Sequence, residues 1–175
     1  MSQLPSFELF PDPVGDGVFE QSKETCSLCK KSRGWIYTGP LFGEEDEDGV
    51  NVCPWCIADG TANRAGWFFV GDTLGDEPVS DADEAVLQRT PGFTTWQDPM
   101  WLTCCGKACV FLGRAGEEEL RGKWAQAVDS IFADFEIEPD EIDEAIGEFT
   151  RDGSPVAYVF QCRKCKKLTG YQDAD

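Results

Sequence analysis

Nine cysteines in four clusters constrain this chain more than any other feature of its sequence. The clusters are Cys26 with Cys29, Cys53 with Cys56, Cys104 and Cys105 with Cys109, and Cys162 with Cys165. Zinc prefers four thiolates at tetrahedral angles, and one Cys-x-x-Cys turn supplies two of them. Two pairs of clusters therefore predict two metal sites.

The first predicted site is regular. Cys26, Cys29, Cys53 and Cys56 form two Cys-x-x-Cys pairs, and their separation of about 23 residues is typical of a zinc ribbon. Four sulfur ligands leave no open position for water at the ion. The spacing therefore predicts a structural zinc that stabilises the fold and does not activate a nucleophile.

The second predicted site is less regular, because three residues separate two of its cysteines. Cys104 and Cys105 are adjacent, and adjacent side chains of an extended strand point in opposite directions. One of the two is therefore expected to be spare, and we assign that role to Cys104. The predicted ligands of the second zinc are Cys105, Cys109, Cys162 and Cys165.

Redox catalysis and an iron–sulfur cluster are the two other uses of clustered cysteines. The segment Cys53-Pro-Trp-Cys56 has the spacing of a redox dithiol, but such a site needs no further pairs, and no βαβ pattern surrounds it. An iron–sulfur cluster also takes four thiolates. Pairs so far apart along the chain favour zinc over the compact runs of ferredoxins.

The start of the chain and its hydropathy predict a cytoplasmic protein. The chain has 175 residues, of which 41% are apolar, enough to form a core. It has no run of about 18 apolar residues and no secretory signal pattern, so that no membrane association is predicted. A reducing compartment and an odd cysteine count both argue against a disulfide framework.

The net charge and the absence of histidine exclude several classes of function. The formal net charge is −18 and there is no histidine, which excludes Ser-His-Asp and Cys-His catalytic groups. So negative a chain repels nucleic-acid phosphates and attracts basic proteins, although acidity also serves solubility. Clustered carboxylates without nearby lysines are the predicted partner-binding residues, namely Glu44, Glu45, Asp46, Glu47, Asp48, Glu141, Asp143, Glu144 and Glu148.

The periodicity predicts an α+β fold, with zinc-ribbon-like knuckle hairpins and a small antiparallel sheet packed with two to three helices. Helices are expected at 81–89, 117–135 and 140–150, and a strand at 156–162. An apolar stripe on the longest helix should lie in the core: Leu120, Trp124, Ala127, Val128, Ile131, Phe132 and Phe135. We predict one domain over 1–175, with submodules 1–75 and 76–175 that each hold one cysteine site.

Several strings resemble one known family. They are LPSFELFPDP, IYTGPLF, CPWCIADG, RTPGF, WLTCCGKACVFLG and YVFQCRKC, and together they are similar to the CbrC family of bacterial proteins, named after a member linked to colicin tolerance. The resemblance implies immunity to a bacterial toxin, with a basic toxin domain as partner. In the family pattern a histidine commonly precedes the cysteine that matches Cys105, which makes Cys104 the first alternative ligand.

The leading hypothesis is therefore a non-enzymatic zinc protein that binds a basic protein through an acidic surface. A zinc ribbon that binds nucleic acid is one alternative, supported by basic patches at Lys30, Lys31 and Arg33 and at Arg163, Lys164, Lys166 and Lys167. A metal-dependent enzyme is another, since Asp46 with Asp48 or Asp81 with Asp83 has the chemistry to hold a catalytic metal. No catalytic residue is predicted.

Overall fold

The computed structural model describes residues 3–43, 49–75, 78–97, 99–133, 135 and 137–175. Within these ranges the chain folds as α+β, with three small sheets and six short α-helices, which confirms the predicted fold class. The strands are β1 (Phe19–Gln21), β2 (Trp35–Tyr37), β3 (Asp72–Leu74), β4 (Met100–Cys104), β5 (Lys107–Ala108), β6 (Val110–Ala115), β7 (Val156–Gln161) and β8 (Leu168–Asp173). The helices are α1 (Pro54–Ala58), α2 (Thr61–Arg64), α3 (Asp81–Leu87), α4 (Glu117–Arg121), α5 (Val128–Ile131) and α6 (Ile142–Ile146).

Strand β7 organises the packing. It lies between β6 and β8 in an antiparallel sheet, and the apolar run Val156–Phe160 is buried throughout. Since successive side chains of a strand point to opposite faces, Tyr158 and Phe160 pack into one core cluster and Ala157 and Val159 into another. The predicted strand is therefore confirmed, and it separates two hydrophobic cores.

The first core is rich in aromatic rings and contains cysteines of all four clusters. Phe93 stacks on Phe111 with ring centroids 4.0 Å apart, and the indole N–H of Trp101 donates to the carbonyl of Cys109 at 2.8 Å. Its buried cysteines are Cys26, Cys53, Cys56, Cys109 and Cys162. Both cysteine sites are thus built on the same core, which draws on residues from 7 to 162.

The second core holds most of the predicted apolar stripe, but the single helix predicted at 117–135 is wrong. The chain forms α4, a 3-10 turn at Ala125–Ala127 and then α5. Gly122 ends α4 with non-helical backbone angles, and glycine is a poor helix former. The stripe residues from Leu120 to Phe132 are buried except Val128, which is half-buried, whereas Phe135 is 48% exposed.

The other predicted helices are present and shorter. The Ser80 hydroxyl caps α3 by accepting from the N–H of Asp83 at 3.3 Å, and the helix ends two residues before the predicted Arg89. Helix α6 covers only the middle of the predicted 140–150. None of the helices in the described ranges combines the length and apolarity needed to cross a bilayer.

Candidate metal centres

The first tetrad comprises Cys26, Cys29, Cys53 and Cys56, as predicted, and its four sulfur atoms all lie within 4.8 Å of one another. The Sγ atoms of Cys26 and Cys56 are 3.7 Å apart, and those of Cys29 and Cys53 are 3.8 Å apart. A disulfide would bring two sulfurs to about 2.0 Å, so these are free thiols gathered around a common centre.

Hydrogen bonds of the backbone shape the two cysteine pairs of the first tetrad and hold them together. The N–H of Cys26 donates to the carbonyl of Lys31 at 3.0 Å and closes a tight turn around the first pair. The second pair lies at the start of α1, where Cys53 is the N-cap residue. Ser27 and Asn51 connect the halves, because the N–H of Ser27 donates to the Asn51 carbonyl at 2.7 Å and the Asn51 N–H donates to the Ser27 hydroxyl at 2.9 Å.

The second tetrad comprises Cys104, Cys105, Cys162 and Cys165, whose sulfur atoms also lie within 4.8 Å of one another. The Sγ of Cys104 lies 3.8 Å from that of Cys105 and 3.7 Å from that of Cys165. The β4–β5 hairpin supplies two of these cysteines, and the turn between β7 and β8 supplies the other two.

The structure differs from the prediction at one position of this tetrad, since Cys104 lies where Cys109 was expected. The argument for a spare Cys104 assumed an extended backbone. Instead, Cys105 and Gly106 form a two-residue hairpin turn with φ of 55° and 66°, a geometry that matches the twist of the flanking strands. The left-handed conformation of Cys105 turns the chain so that both adjacent thiols reach the same centre.

Cys109 lies outside the tetrad as a buried fifth thiol. Its N–H donates to the carbonyl of Leu102 at 2.9 Å, and its side chain is fully buried in the first core. Burial, together with the nearby Cys162, raises the pKa of the Cys109 thiol to about 12. Burial also raises the pKa of the Cys104 and Cys56 thiols, so position and not pKa separates Cys109 from the ligands.

Each tetrad contains one thiol that ionises easily. Burial opposes ionisation of Cys26, but hydrogen bonds from the backbone of Cys29 and Cys53 outweigh it and lower the pKa of Cys26 to about 7. Burial also opposes ionisation of Cys162, where hydrogen bonds from the backbone of Cys165 and Lys164 lower the pKa to about 6. Because metals bind thiolates, these two sulfurs are the natural first ligands of their centres.

The same turn recurs once in each tetrad. Residues 26–31 and 162–167 both read Cys-x-x-Cys-Lys-Lys, and in each the first N–H donates to the carbonyl five residues on. The first lysine after each pair, Lys30 or Lys166, has a left-handed backbone with φ of 56° or 64°. The two centres thus share one local design, which the sequence repeats without any wider duplication.

Asp83 connects both halves of the second tetrad, a role that no sequence pattern predicted. Its carboxylate is buried and accepts from the Lys107 ammonium at 2.9 Å and from the Ser80 hydroxyl at 2.8 Å. It also pairs with the guanidinium of Arg163, whose Nε donates to the Ala108 carbonyl at 2.9 Å. Lys107 lies two residues after Cys105 and Arg163 directly follows Cys162, so one carboxylate of α3 holds the two turns together.

Both tetrads fit a tetrahedral metal ion bound only by sulfur. Four ligands at the zinc–sulfur distance of about 2.3 Å lie about 3.8 Å from one another at tetrahedral angles. In each tetrad two sulfur pairs are 3.7 or 3.8 Å apart, and all four sulfurs lie within 4.8 Å of one another. Each tetrad can therefore hold a metal ion. A fully occupied sulfur shell would supply folding energy and would leave no site for a reacting water.

The predicted acidic contact residues are only partly visible in the structure. Glu44, Glu45, Asp46, Glu47 and Asp48 lie outside the described residues, and with them the carboxylate pair Asp46 and Asp48. Glu141, Asp143, Glu144 and Glu148 are exposed on and around α6. Arg121 pairs with Asp143, so this carboxylate is less free than predicted.

The carboxylate pair Asp81 and Asp83 is not arranged as a metal site. Asp81 is exposed, whereas Asp83 is buried and paired with the Lys107 and Arg163 cations. A carboxylate held by two cations already has the charge partners that a metal would supply. The pair therefore gives no support to a metal-dependent enzyme.

Comparison with known proteins identifies a family but no function. A UPF0167 protein of Pseudomonas aeruginosa is 38% identical over 168 residues, which covers 93% of this chain and 92% of the relative. UPF0167 proteins of Mycobacterium bovis and Mycobacterium tuberculosis are each 37% identical over 177 residues, which covers 98% of this chain and 94% of each relative. No solved structure matches the chain.

The predicted membership of the CbrC family is wrong, because the family model that matches the chain is a different one. This model covers residues 4–174 and is described as an uncharacterised protein family, UPF0167. The curated relatives carry the same family name. The chain therefore belongs to the UPF0167 family.

Proposed function

We propose that this protein is a non-enzymatic zinc protein in which two tetrathiolate centres stabilise a surface that binds a protein partner. The observation that carries the zinc proposal is the sulfur spacing, because in each tetrad two sulfur pairs lie 3.7 or 3.8 Å apart, close to the edge of about 3.8 Å in a zinc–thiolate tetrahedron. Zinc suits these centres because it accepts four thiolates without a redox change.

The zinc proposal is tested by measuring metal content per chain by elemental mass spectrometry, with native mass before and after chelation. We expect two zinc ions per chain. Iron, or a metal-free protein that keeps its fold, would contradict the proposal. Absorption in the visible range independently distinguishes iron from zinc, because iron–thiolate centres are coloured and zinc–thiolate centres are not.

An acidic surface is the proposed partner site. Within the described residues, Glu141, Glu144 and Glu148 form no ion pair, and all three are exposed. A partner with a basic surface would relieve the repulsion between them and would be steered by the net charge of −18. Toxin immunity depended on the CbrC resemblance, and we do not retain it.

Charge reversal tests this surface. We expect Glu144→Lys with Glu148→Lys to weaken binding of a lysine-rich peptide, measured by fluorescence anisotropy at low and high salt. Reversal of Glu20 and Glu24, which are exposed at the other end of the chain, makes the same change in net charge and is the control. Equal loss in both double variants would mean that only total charge matters and would contradict a site at α6.

One observation favours nucleic-acid binding as a second candidate function. Lys164, Lys166 and Lys167 are exposed around Cys165, and they form a local basic patch on an acidic protein. Such a patch has the charge to contact phosphate groups, and binding of this kind weakens steeply with salt. Anisotropy with single-stranded RNA and DNA tests it, and no binding at low salt would exclude it.

A further inference from the structure

The second tetrad differs from the first in access, although the two share the same chemistry. Cys26, Cys53 and Cys56 are buried, and Cys29 is half-buried. In the second tetrad Cys105 and Cys165 are exposed, Cys104 is half-buried, and only Cys162 is buried. Both tetrads also have the same Cys-x-x-Cys-Lys-Lys turn, so the two lysines that follow each pair do not distinguish them. Solvent access does.

Exposed sulfur in a cluster of thiols is the pattern of an oxidation site. Oxidation of cysteine follows thiolate character and accessibility, and it stops at a disulfide where a second thiol lies close by. The Sγ of the exposed Cys165 is 3.7 Å from that of Cys104. Metal ligation keeps sulfur in the thiolate form, so a metal-bound Cys165 combines charge, access and a nearby partner.

We propose that the second tetrad is a peroxide-reactive site at which Cys165 and Cys104 become joined by a disulfide and the bound zinc is released. The proposal rests on the zinc function proposed above. It names a hydroperoxide as the co-reactant, with hydrogen peroxide as its simplest member. The first tetrad, whose sulfurs are largely buried, stays reduced under the same conditions.

The reaction balances in two steps. The Cys165 thiolate attacks one oxygen of hydrogen peroxide, the O–O bond breaks, and a sulfenic acid forms while the leaving hydroxide takes a proton from solvent and becomes water. The Cys104 thiolate then attacks the sulfenic sulfur, the S–O bond breaks, the S–S bond forms, and the second hydroxide also leaves as water after it takes a proton from solvent. The two thiolates lose two electrons in total, and peroxide gains them. The centre then lacks two of its four sulfur ligands.

Geometry selects Cys104 and Cys165 rather than the adjacent pair Cys104 and Cys105. Adjacent Cα atoms are about 3.8 Å apart across a trans peptide, and disulfides usually join Cα atoms about 4.4–6.8 Å apart. Cys104 ends β4 and Cys165 lies in the turn between β7 and β8, so no peptide bond fixes their Cα separation. Closing 3.7 Å to a bond of about 2.0 Å needs a small movement, and residues 164–167 around Cys165 are exposed.

The test uses the full-length zinc-loaded protein. Hydrogen peroxide is added in equimolar amount, zinc release is followed with a chromogenic chelator, and disulfides are mapped by mass spectrometry after proteolysis. We expect one zinc per chain to be released, with a disulfide between Cys104 and Cys165, and we expect dithiothreitol with added zinc to reverse both changes. Release from the first tetrad, or release without any disulfide in the second, would overturn the proposal.

Two variants sharpen this test. Cys109→Ala removes the buried fifth thiol and should react like the natural protein. Cys104→Ser is expected to hold only the first zinc, so peroxide should release no zinc from it and should leave Cys165 as a sulfenic acid that dimedone traps. If Cys104→Ser does not fold, the disulfide map of the natural protein still shows whether peroxide joins Cys104 to Cys165. Metal content before peroxide is measured first, so that a protein without zinc refutes the proposed function, while a zinc-loaded protein that resists peroxide refutes only this inference.

Discussion

The two cysteine tetrads have the same sulfur spacing and different surroundings. The first is enclosed by the aromatic core and by α1, with three of its four cysteines buried. The second lies where a hairpin and a turn meet at the surface, and two of its cysteines are exposed. The spacing of the sulfur ligands and the protection of those sulfurs from solvent are therefore separate properties. Local turns set the geometry, whereas packing around the turns sets the protection.

The largest expected difference between the centres is in stability. Cys56→Ser removes a buried ligand of the first centre, and we expect loss of one zinc and unfolding of the surrounding region. A structural zinc contributes about 10–16 kcal/mol to folding in zinc-finger peptides. This free energy is as large as the whole stability of a typical domain. Cys165→Ser should also lose one zinc, but with a smaller fall in Tm. Metal content and thermal unfolding followed by circular dichroism measure both. Equal falls in Tm would remove the distinction between the centres.

The next prediction concerns which cysteine completes the second centre. We expect Cys104→Ser to bind one zinc per chain and Cys109→Ala to bind two, since the Sγ of Cys104 is 3.7 Å from that of Cys165 while Cys109 faces the core. Native mass spectrometry counts the ions. The opposite result would restore the ligand set predicted from the sequence. Loss of zinc in both variants would mean that Cys109 supports the centre indirectly.

Asp83 should affect the zinc affinity of the second centre and leave that of the first unchanged. Asp83→Asn keeps the size of the side chain but weakens its pairs with Lys107 and Arg163, and loss of such supporting contacts typically lowers metal affinity about 10–100-fold. Zinc competition with a chelator of known affinity measures the change. Asp81→Asn is the matched control, because Asp81 is exposed on the same helix. A similar loss in the control would trace the effect to α3 as a whole.

The smallest expected effect is kinetic. A chelator in excess should remove zinc from the second centre about tenfold faster than from the first, because exchange at the first centre needs a local opening of buried structure. Stopped-flow absorbance with a chromogenic chelator resolves the two phases. The Cys165→Ser variant identifies them, since it should lack the fast phase. A single phase in the natural protein would show that exposure does not control release.

The sequence determined the α+β class, the first tetrad and most of the core. Regular Cys-x-x-Cys pairs specify a first site because each pair places two sulfurs from one turn, and the apolar stripe from Leu120 to Phe132 packs in the second core as its period implies. The period did not reveal that Gly122 divides this segment, because α4, the 3-10 turn and α5 in succession keep nearly the same spacing as one long helix.

Only the tertiary structure decided the second tetrad and its support. The left-handed backbone at Cys105 turns two adjacent thiols toward one centre, a conformation that non-glycine residues rarely adopt. Asp83 reaches both halves from a helix distant in sequence, and the different exposure of the two tetrads depends on what packs over each. Spacing along the chain specifies which atoms a turn brings together, but contacts between distant segments and access to solvent are set by the whole fold.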